Sequence, residues 1–495
     1  MAITGDDLST LNTQLTTNPG PLTLAPLWTD GLLRIKSDES LEPRLAESWD
    51  VSDDGLTYTF HLREGLKWSD GEAFGADDIV TTWNEFNDKN SALVSLSKTV
   101  DSVDAEDDST VVFTLKSKYT PLLKTMARDT FPILPAHKYK GKDPSTNPAN
   151  TDPVSIGPWT LAEWDKGRSM TWEPNPDFWG KKPALEKLNV AFLPNPEQRV
   201  NALMQGEIDF TTVPVPDVKR VSEKSDEIEV FHNSPPPGER VQVKFNVADE
   251  DDPQADKLVR QAFAHAIDRK AISDKALAGL AKPSVSAIPD MYKNLYNPVV
   301  DYNDMYPLDL DKANSLLDEA GYEEKNGERF KVSLITPVPS ELPTESIARI
   351  ISDNLSQVGV TVDIEAMEGD LYTDRVYQKR EFDMDLIYMA TRADPALSIN
   401  RDYLCNDSDA AFVNATGFCD PQLDKIASKA QTVDESERRE VYGEYEKIVA
   451  DQLPVLDIAI TEGNEYGISK RLKNYSAAGE VAFNDHPDWT DIGGE

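Results

Sequence analysis

Leu45-Ala46-Glu47-Ser48-Trp49-Asp50-Val51-Ser52-Asp53-Asp54-Gly55-Leu56-Thr57-Tyr58-Thr59-Phe60-His61-Leu62-Arg63-Glu64-Gly65-Leu66-Lys67-Trp68-Ser69-Asp70-Gly71 is the segment that constrains the fold most. Leu56, Tyr58, Phe60 and Leu62 alternate with Thr57, Thr59 and His61, the period of a strand with one buried face. Asp53-Asp54-Gly55 supplies a turn before the strand, and Ser69-Asp70-Gly71 punctuates its far side. The spacing then turns helical over Asp77–Phe86, with acids in the first turn where the helix dipole favours them.

The same alternation predicts strands at Thr110–Leu115, Leu188–Phe192 and across Val241, Val243 and Phe245. Glu197–Met204 reads as a helix stopped by Gly206, before a short strand Ile208-Asp209-Phe210. Leu258, Val259, Ala262, Phe263, Ala266 and Ile267 make one helical stripe. Ile347, Ile350, Ile351, Leu355 and Val358 make another, ended by Gly359 before the strand Val360–Ile364. Helices alternating with strands argue for an α/β fold. A chain of 495 residues exceeds what one hydrophobic core usually serves, so at least two lobes are expected.

Acids outnumber bases 88 to 50, a formal charge of −38, which disfavours nucleic acid as a partner because phosphate binding needs a basic face. No apolar run approaches the roughly 20 residues that span a bilayer. The two cysteines, Cys405 and Cys419, read as one disulfide contributing about 3 kcal/mol in the chain-entropy model, with a pair of buried free thiols as the alternative.

Further segments form a set with the opening stretch. They are Gly157-Pro158-Trp159, Glu173-Pro174-Asn175-Pro176-Asp177-Phe178-Trp179-Gly180, Arg199–Asp209, Leu258–Arg269, Pro421-Gln422-Leu423-Asp424 and Asp451–Val455. In this order they resemble the signature of the family 5 extracellular solute-binding proteins, the peptide and nickel receptors of ATP-driven importers. The main departure is Gly75, where the family usually places Thr or Ser as helix cap.

The resemblance implies a two-lobed, hinged, periplasmic-binding-protein-like fold of type II with an extra inserted subdomain. Residues 1–35, 155–245 and 457–495 would form the first lobe, 36–154 the inserted subdomain and 246–456 the second lobe. The chain crossings would fall near Phe245-Asn246 and Leu456-Asp457. Export is implied as well. Met1–Asp7 has neither a basic n-region nor an apolar h-region, which fits either a cytosolic protein or a removed secretion signal, and the resemblance favours the second. The expected location is then periplasmic, or extracellular at the cell surface through a lipid-modified cysteine.

In resembling peptide receptors a strand-end acid pairs with the ligand's ammonium group shortly before an acidic-residue–Pro step. Here Asp394-Pro395 matches that step, Thr391 stands where the anchoring acid is expected, and Arg392 adds a positive charge. This disfavours a dipeptide held by its amino terminus and favours a longer peptide read through its backbone, or a ligand bearing a carboxylate or phosphate. Tyr388 and Met389, on the strand before the step, and Trp28, near a position where relatives place a pocket-facing residue, complete the expected ligand-facing set. Core packing is the alternative for Trp28, an ion pair for Arg392 and a turn cap for Asp394.

Enzymatic motifs are weak. Ser95-Leu96-Ser97-Lys98 and Ser352-Asp353-Asn354 fit two of three pieces of a serine acyl-transferase signature, without K-T-G. His61, His137, His232, His265 and His486 are scattered, so bare metal is disfavoured and no cofactor is expected. The expected function is capture of a small solute, a peptide foremost, between two lobes for delivery to the permease subunits of an ABC importer, by a monomer performing no covalent step. The rivals are an oligosaccharide, an opine-like sugar phosphate or a metal chelate as solute, a serine acyl-hydrolase, and an adhesin or signal receptor.

Overall fold

The computed structural model describes residues 1–3, 8–16, 19–36, 39–90, 93–232, 238–338, 340, 342–406, 412–461, 465–473, 490 and 492–493. His486 and the side chains of Ser95 and His232 lie outside the described residues, so those readings stay where the sequence left them. The chain divides into two units, one of Met1–Val213, Asp217–Pro236 and Asn464–Glu495, the other of Pro214–Pro216 and Pro237–Gly463.

In the first unit, the opening stretch builds an antiparallel sheet in the order Ala46–Val51, Thr57–Leu62, Thr110–Leu115, Val100–Asp107. Tyr58, Phe60 and Leu62 point to its buried face, as the alternation requires. They pack with Trp83 of the Ala76–Phe86 helix, and Phe113 takes Phe60 and Trp83 edge-on at 5.7 Å each. Gly75 caps that helix for a steric reason: a Cβ there would lie 2.9 Å from the Asp108 carbonyl oxygen. The missing cap is replaced by Asp78, whose Oδ2 accepts from Gly75 N at 2.9 Å and from Trp68 Nε1 at 3.1 Å.

A second sheet of this unit runs Ala2–Ile3, Leu188–Phe192, Ser169–Pro174, Trp159–Asp165. Its packing partner is the Pro19–Trp28 helix, whose final carbonyl accepts from Ile156 N at 2.9 Å and Gly157 N at 3.0 Å. A Cβ on Gly157 would lie 2.7 Å from the Leu27 oxygen and 2.8 Å from the Trp28 carbonyl carbon. Backbone atoms cannot step aside as a side chain can. Gly157→Ala is therefore expected to lower stability by about 1–3 kcal/mol, read as a shift of the urea midpoint at unchanged slope.

The second unit is built on a six-stranded mixed sheet in the order Ala281–Pro283, Val455–Thr461, Glu239–Phe245, Met384–Ala390, Phe330–Val338, Val360–Glu368. The last two strands are parallel, and the Thr344–Ser356 helix is the crossover that parallel pairing demands. Val241, Val243 and Phe245 point to one face, where they meet Val259 and Phe263 of the Lys257–Ala266 helix and Ile347, Ile351 and Leu355 of the crossover. Asn354 of the acyl-transferase-like triplet accepts from Asp268 N at 3.0 Å, a structural bond.

The chain crossings differ from those expected. Glu239–Phe245 and Val455–Thr461 pair with each other as central strands of this sheet, so Phe245-Asn246 and Leu456-Asp457 lie in or beside it and cannot divide units. The division falls instead beyond the outer ends of both strands, at 236/237 and 463/464. Among the described residues, no helix is long and apolar enough to cross a membrane.

Candidate functional site

The Met384–Ala390 strand runs into Thr391–Asp394, a single 3-10 turn at Pro395–Leu397 and the short helix Asn400–Tyr403. Asp394 starts the turn, accepting from Ala396 N at 3.0 Å, with proline at the first turn position where its missing N–H is not needed. Its two carboxylate oxygens each take a guanidinium nitrogen of Arg438 at 2.7 Å, and both side chains are fully buried. Arg438 comes from the Glu435–Gln452 helix and also donates to Ala430 O at 2.8 Å and Glu435 Oε2 at 3.0 Å.

Most of the residues expected to face a ligand have other tasks. Asp394 is committed to Arg438. Thr391 N and Oγ1 both donate to Gly238 O, at 3.1 and 2.9 Å, which fixes the backbone entering the Glu239–Phe245 strand. Met389 is buried among Ile335, Tyr372, Tyr377 and Ile387. Trp28 is buried with Leu24, Trp159 and Trp172 in the core of the first unit. In the structure these four side chains serve packing and internal hydrogen bonding. Tyr388 is half-buried against the apolar core of the second unit. Arg392 is half-buried, with its N–H on Ser398 Oγ at 3.2 Å and its carbonyl accepting from Tyr292 OH at 2.7 Å. Cys405 and Cys419 are joined by a disulfide just after the short helix.

Sequence reading missed a buried charged cluster beside these residues. The face of Glu239–Phe245 opposite Val241, Val243 and Phe245 carries Arg240, Gln242 and Lys244, all buried. Asp402 meets Arg240 at 2.6 Å and Lys244 at 3.3 Å, one oxygen to each. Asp457 accepts from Gln242 Nε2 and Tyr403 OH, each at 2.9 Å, and Asp385 accepts from Tyr372 OH at 2.8 Å. Burial pushes the Asp385 and Asp457 carboxyls up to about 6 against the pull of Lys244 and Arg240 respectively. Burial acts the same way on Asp402, but Lys244, Arg240 and Arg401 outweigh it and hold this carboxyl below its ordinary value.

Arg401 sits beside Asp402 and adds to the positive charge acting on it. Its Nε is buried without a hydrogen-bond acceptor. The preceding Asn400 is buried with neither its amide oxygen nor its nitrogen partnered. One signal was available in the sequence: charges at alternate positions of a strand whose other positions are apolar. Among the described residues, no group of three or more His, Cys, Asp or Glu side chains is arranged to hold a metal ion.

A family model for bacterial extracellular solute-binding proteins, family 5 Middle, matches residues 40–409. The chain is 30% identical over 433 residues to Protein XP55 of Streptomyces lividans, covering 85% of this chain and 77% of that one. It is 27% identical over 460 residues to the dipeptide-binding protein of Escherichia coli strain K12, covering 88% and 83%. A solved structure of the ABC transporter-associated periplasmic binding protein DppA from Helicobacter pylori, in complex with the peptide STSA, matches with a TM-score of 0.84 at 26% identity. It covers 100% of this chain and 97% of that chain.

Proposed function

The chain belongs to family 5 of the bacterial extracellular solute-binding proteins, and we propose that its solute is a peptide of more than two residues, captured intact outside the cell and delivered to the permease of an ABC importer. The observation that carries the reading is the whole-length likeness to a peptide-bound binding protein. The likeness to a dipeptide-binding protein over 88% of the chain supports the same solute class.

The preference for longer peptides rests on Thr391. Where the family resemblance expects an acid for the ligand's ammonium, this chain has a hydroxyl spent on Gly238 O. A free amino terminus then finds no carboxylate at that position, and affinity has to come from the peptide backbone and from its carboxylate end.

The test is thermal unfolding in the presence of dipeptides, tetrapeptides and octapeptides. A bound solute stabilises by RT ln(1 + [L]/Kd), about 2.7 kcal/mol at one hundred times Kd. Tetrapeptides or octapeptides should raise the melting temperature and dipeptides should raise it less. A shift seen only with an oligosaccharide, a sugar phosphate or a nickel–histidine chelate would replace the peptide reading with that solute.

A further inference from the structure

Glu446, in the Glu435–Gln452 helix, is 1% exposed, and no cation is among the groups acting on its carboxyl. Its Oε1 accepts from Ile288 N at 3.2 Å, while Oε2 is buried without a hydrogen-bond partner. Arg269, which acts on the neighbouring Tyr302, is spent on the carbonyls of Ser284, Tyr302 and Tyr306 at 3.1, 2.7 and 3.1 Å. A carboxylate withdrawn from water with neither a cation nor a full set of donors is strongly disfavoured against the neutral acid.

Ser286 points to the same state. It is buried beside the carboxyl, and its one hydroxyl hydrogen goes to Ile288 O at 2.7 Å. A neutral Glu446 can give its proton to the lone pairs left on Ser286 Oγ and still accept from Ile288 N. An ionised one has to draw the hydroxyl away from Ile288 O. The other titratable groups around it do not compensate. Tyr296 and Tyr302 feel its charge, and the hydroxyls of Tyr302 and of Tyr445 on its own helix are buried without partners. Asp457 acts on Tyr302, and Asp301 and Asp290 act on Tyr296, all with the sign an ionised Glu446 would have. On the same helix Tyr442 receives Arg438 at 3.5 Å, and Lys447 is exposed.

The carboxyl holds a segment that reaches the candidate site. Ser284 N donates to Ile458 O at 3.2 Å, and Tyr292 OH donates to Arg392 O at 2.7 Å, supporting the loop that follows the Met384–Ala390 strand. Between these two anchors, the Ile288 amide on Glu446 joins the segment to the helix. We propose that Glu446 is a neutral carboxylic acid latching the Ser284–Tyr292 segment onto the Glu435–Gln452 helix, and that rising pH ionises it and releases the segment.

Burial raises this carboxyl from its ordinary 4.5 to about 8, so between those values the folded chain holds a proton that the unfolded chain has lost. Its contribution to stability is full below about 4.5 and is lost as pH rises to about 8.

The experiment compares the wild type with Glu446→Gln, which keeps the acceptor for Ile288 N and a donor for Ser286 while removing the titration. Urea unfolding at pH 5, 6, 7 and 8 should show the variant gaining on the wild type by up to about ten-fold in folding equilibrium per pH unit. Hydrogen exchange read by mass spectrometry, corrected for the intrinsic rate, should show Ser284–Tyr292 loosening between pH 6 and 8.5 in the wild type and not in the variant. A difference in stability that stays constant from pH 5 to 8 overturns the inference, because Glu446 then keeps one protonation state throughout. The expected stability trend with equal exchange of the segment in both proteins also overturns it, since the proton is then real and the latch is not. Should Glu446→Gln fail to fold, infrared spectroscopy of the wild type decides. A carboxylic-acid C=O band that persists at pH 7, above the values near 6 at which Asp385 and Asp457 ionise, and fades as the segment loosens upholds the latch. No such band at pH 7, or a band that fades while the segment stays protected, ends it.

Discussion

Replacing Asp394 with alanine is expected to destabilise the second unit by about 3–5 kcal/mol, the cost of orphaning one member of a buried ion pair. Both partners are fully buried, and each Asp394 oxygen holds one Arg438 nitrogen at 2.7 Å. Without the carboxylate, Arg438 keeps Ala430 O, Tyr442 OH and the half-exposed Glu435, whose pairing is weakened by water. The loss also removes the cap of the Pro395–Leu397 turn, and with it the support of Arg392 through the Ser398 bond. The double change Asp394→Ala with Arg438→Met should recover much of the stability, since no charge is then left alone in the interior. Urea unfolding of the two single variants and the double one measures the cycle. A near-neutral Asp394→Ala that instead loses solute affinity would return Asp394 to the ligand site.

Asp402→Asn carries the second large effect, again about 3–5 kcal/mol, because it strips the shared counter-charge from Arg240 and Lys244. Its signature is in the pH profile. Asp385 and Asp457 have carboxyls raised from 3.8 to about 6 in the folded state, so between those values the folded protein holds more protons than the unfolded one. Stability on their account therefore falls as pH rises from about 4 to 6. Asp402 acts in the opposite sense: its lowered carboxyl contributes above its ordinary value and loses that contribution as acid protonates it. In Asp402→Asn the two cations turn to the remaining carboxylates, pull their protons off earlier, and move the descending limb to lower pH. Urea midpoints at pH 4, 5, 6 and 7 record both effects. A variant within 1 kcal/mol of the wild type, with the same limb, would show that Arg240 and Lys244 are not held by Asp402.

How much of this was legible in the sequence depended on the range of the interactions involved. Thr57–Leu62 and Leu188–Phe192 form the strands that alternation alone delimits, because a half-buried strand writes its pattern in consecutive residues. The short strand near Phe210 begins later than Ile208, since its register is set by Glu465–Ser469, far along the chain. The site residues suffered most from long-range pairing. Asp394 looks like an exposed acid before a proline until Arg438, 44 positions away, is brought against it. Arg240, Gln242 and Lys244 look like the solvent side of a strand until Asp402, some 160 positions on, covers them. Arg392 was legible as a positive charge at the strand end, and the structure places it there half-buried.

The central claim is that this protein holds a peptide and returns it unchanged. The direct measurement is native mass spectrometry of the purified chain mixed with an equimolar set of tetrapeptides to octapeptides, followed by acid release and mass analysis of what was held. The account predicts a one-to-one complex with one or a few peptides, each recovered at its starting mass. Recovery of cleaved fragments, or a chain that stays unloaded by every peptide while a non-peptide solute binds it, would contradict the account.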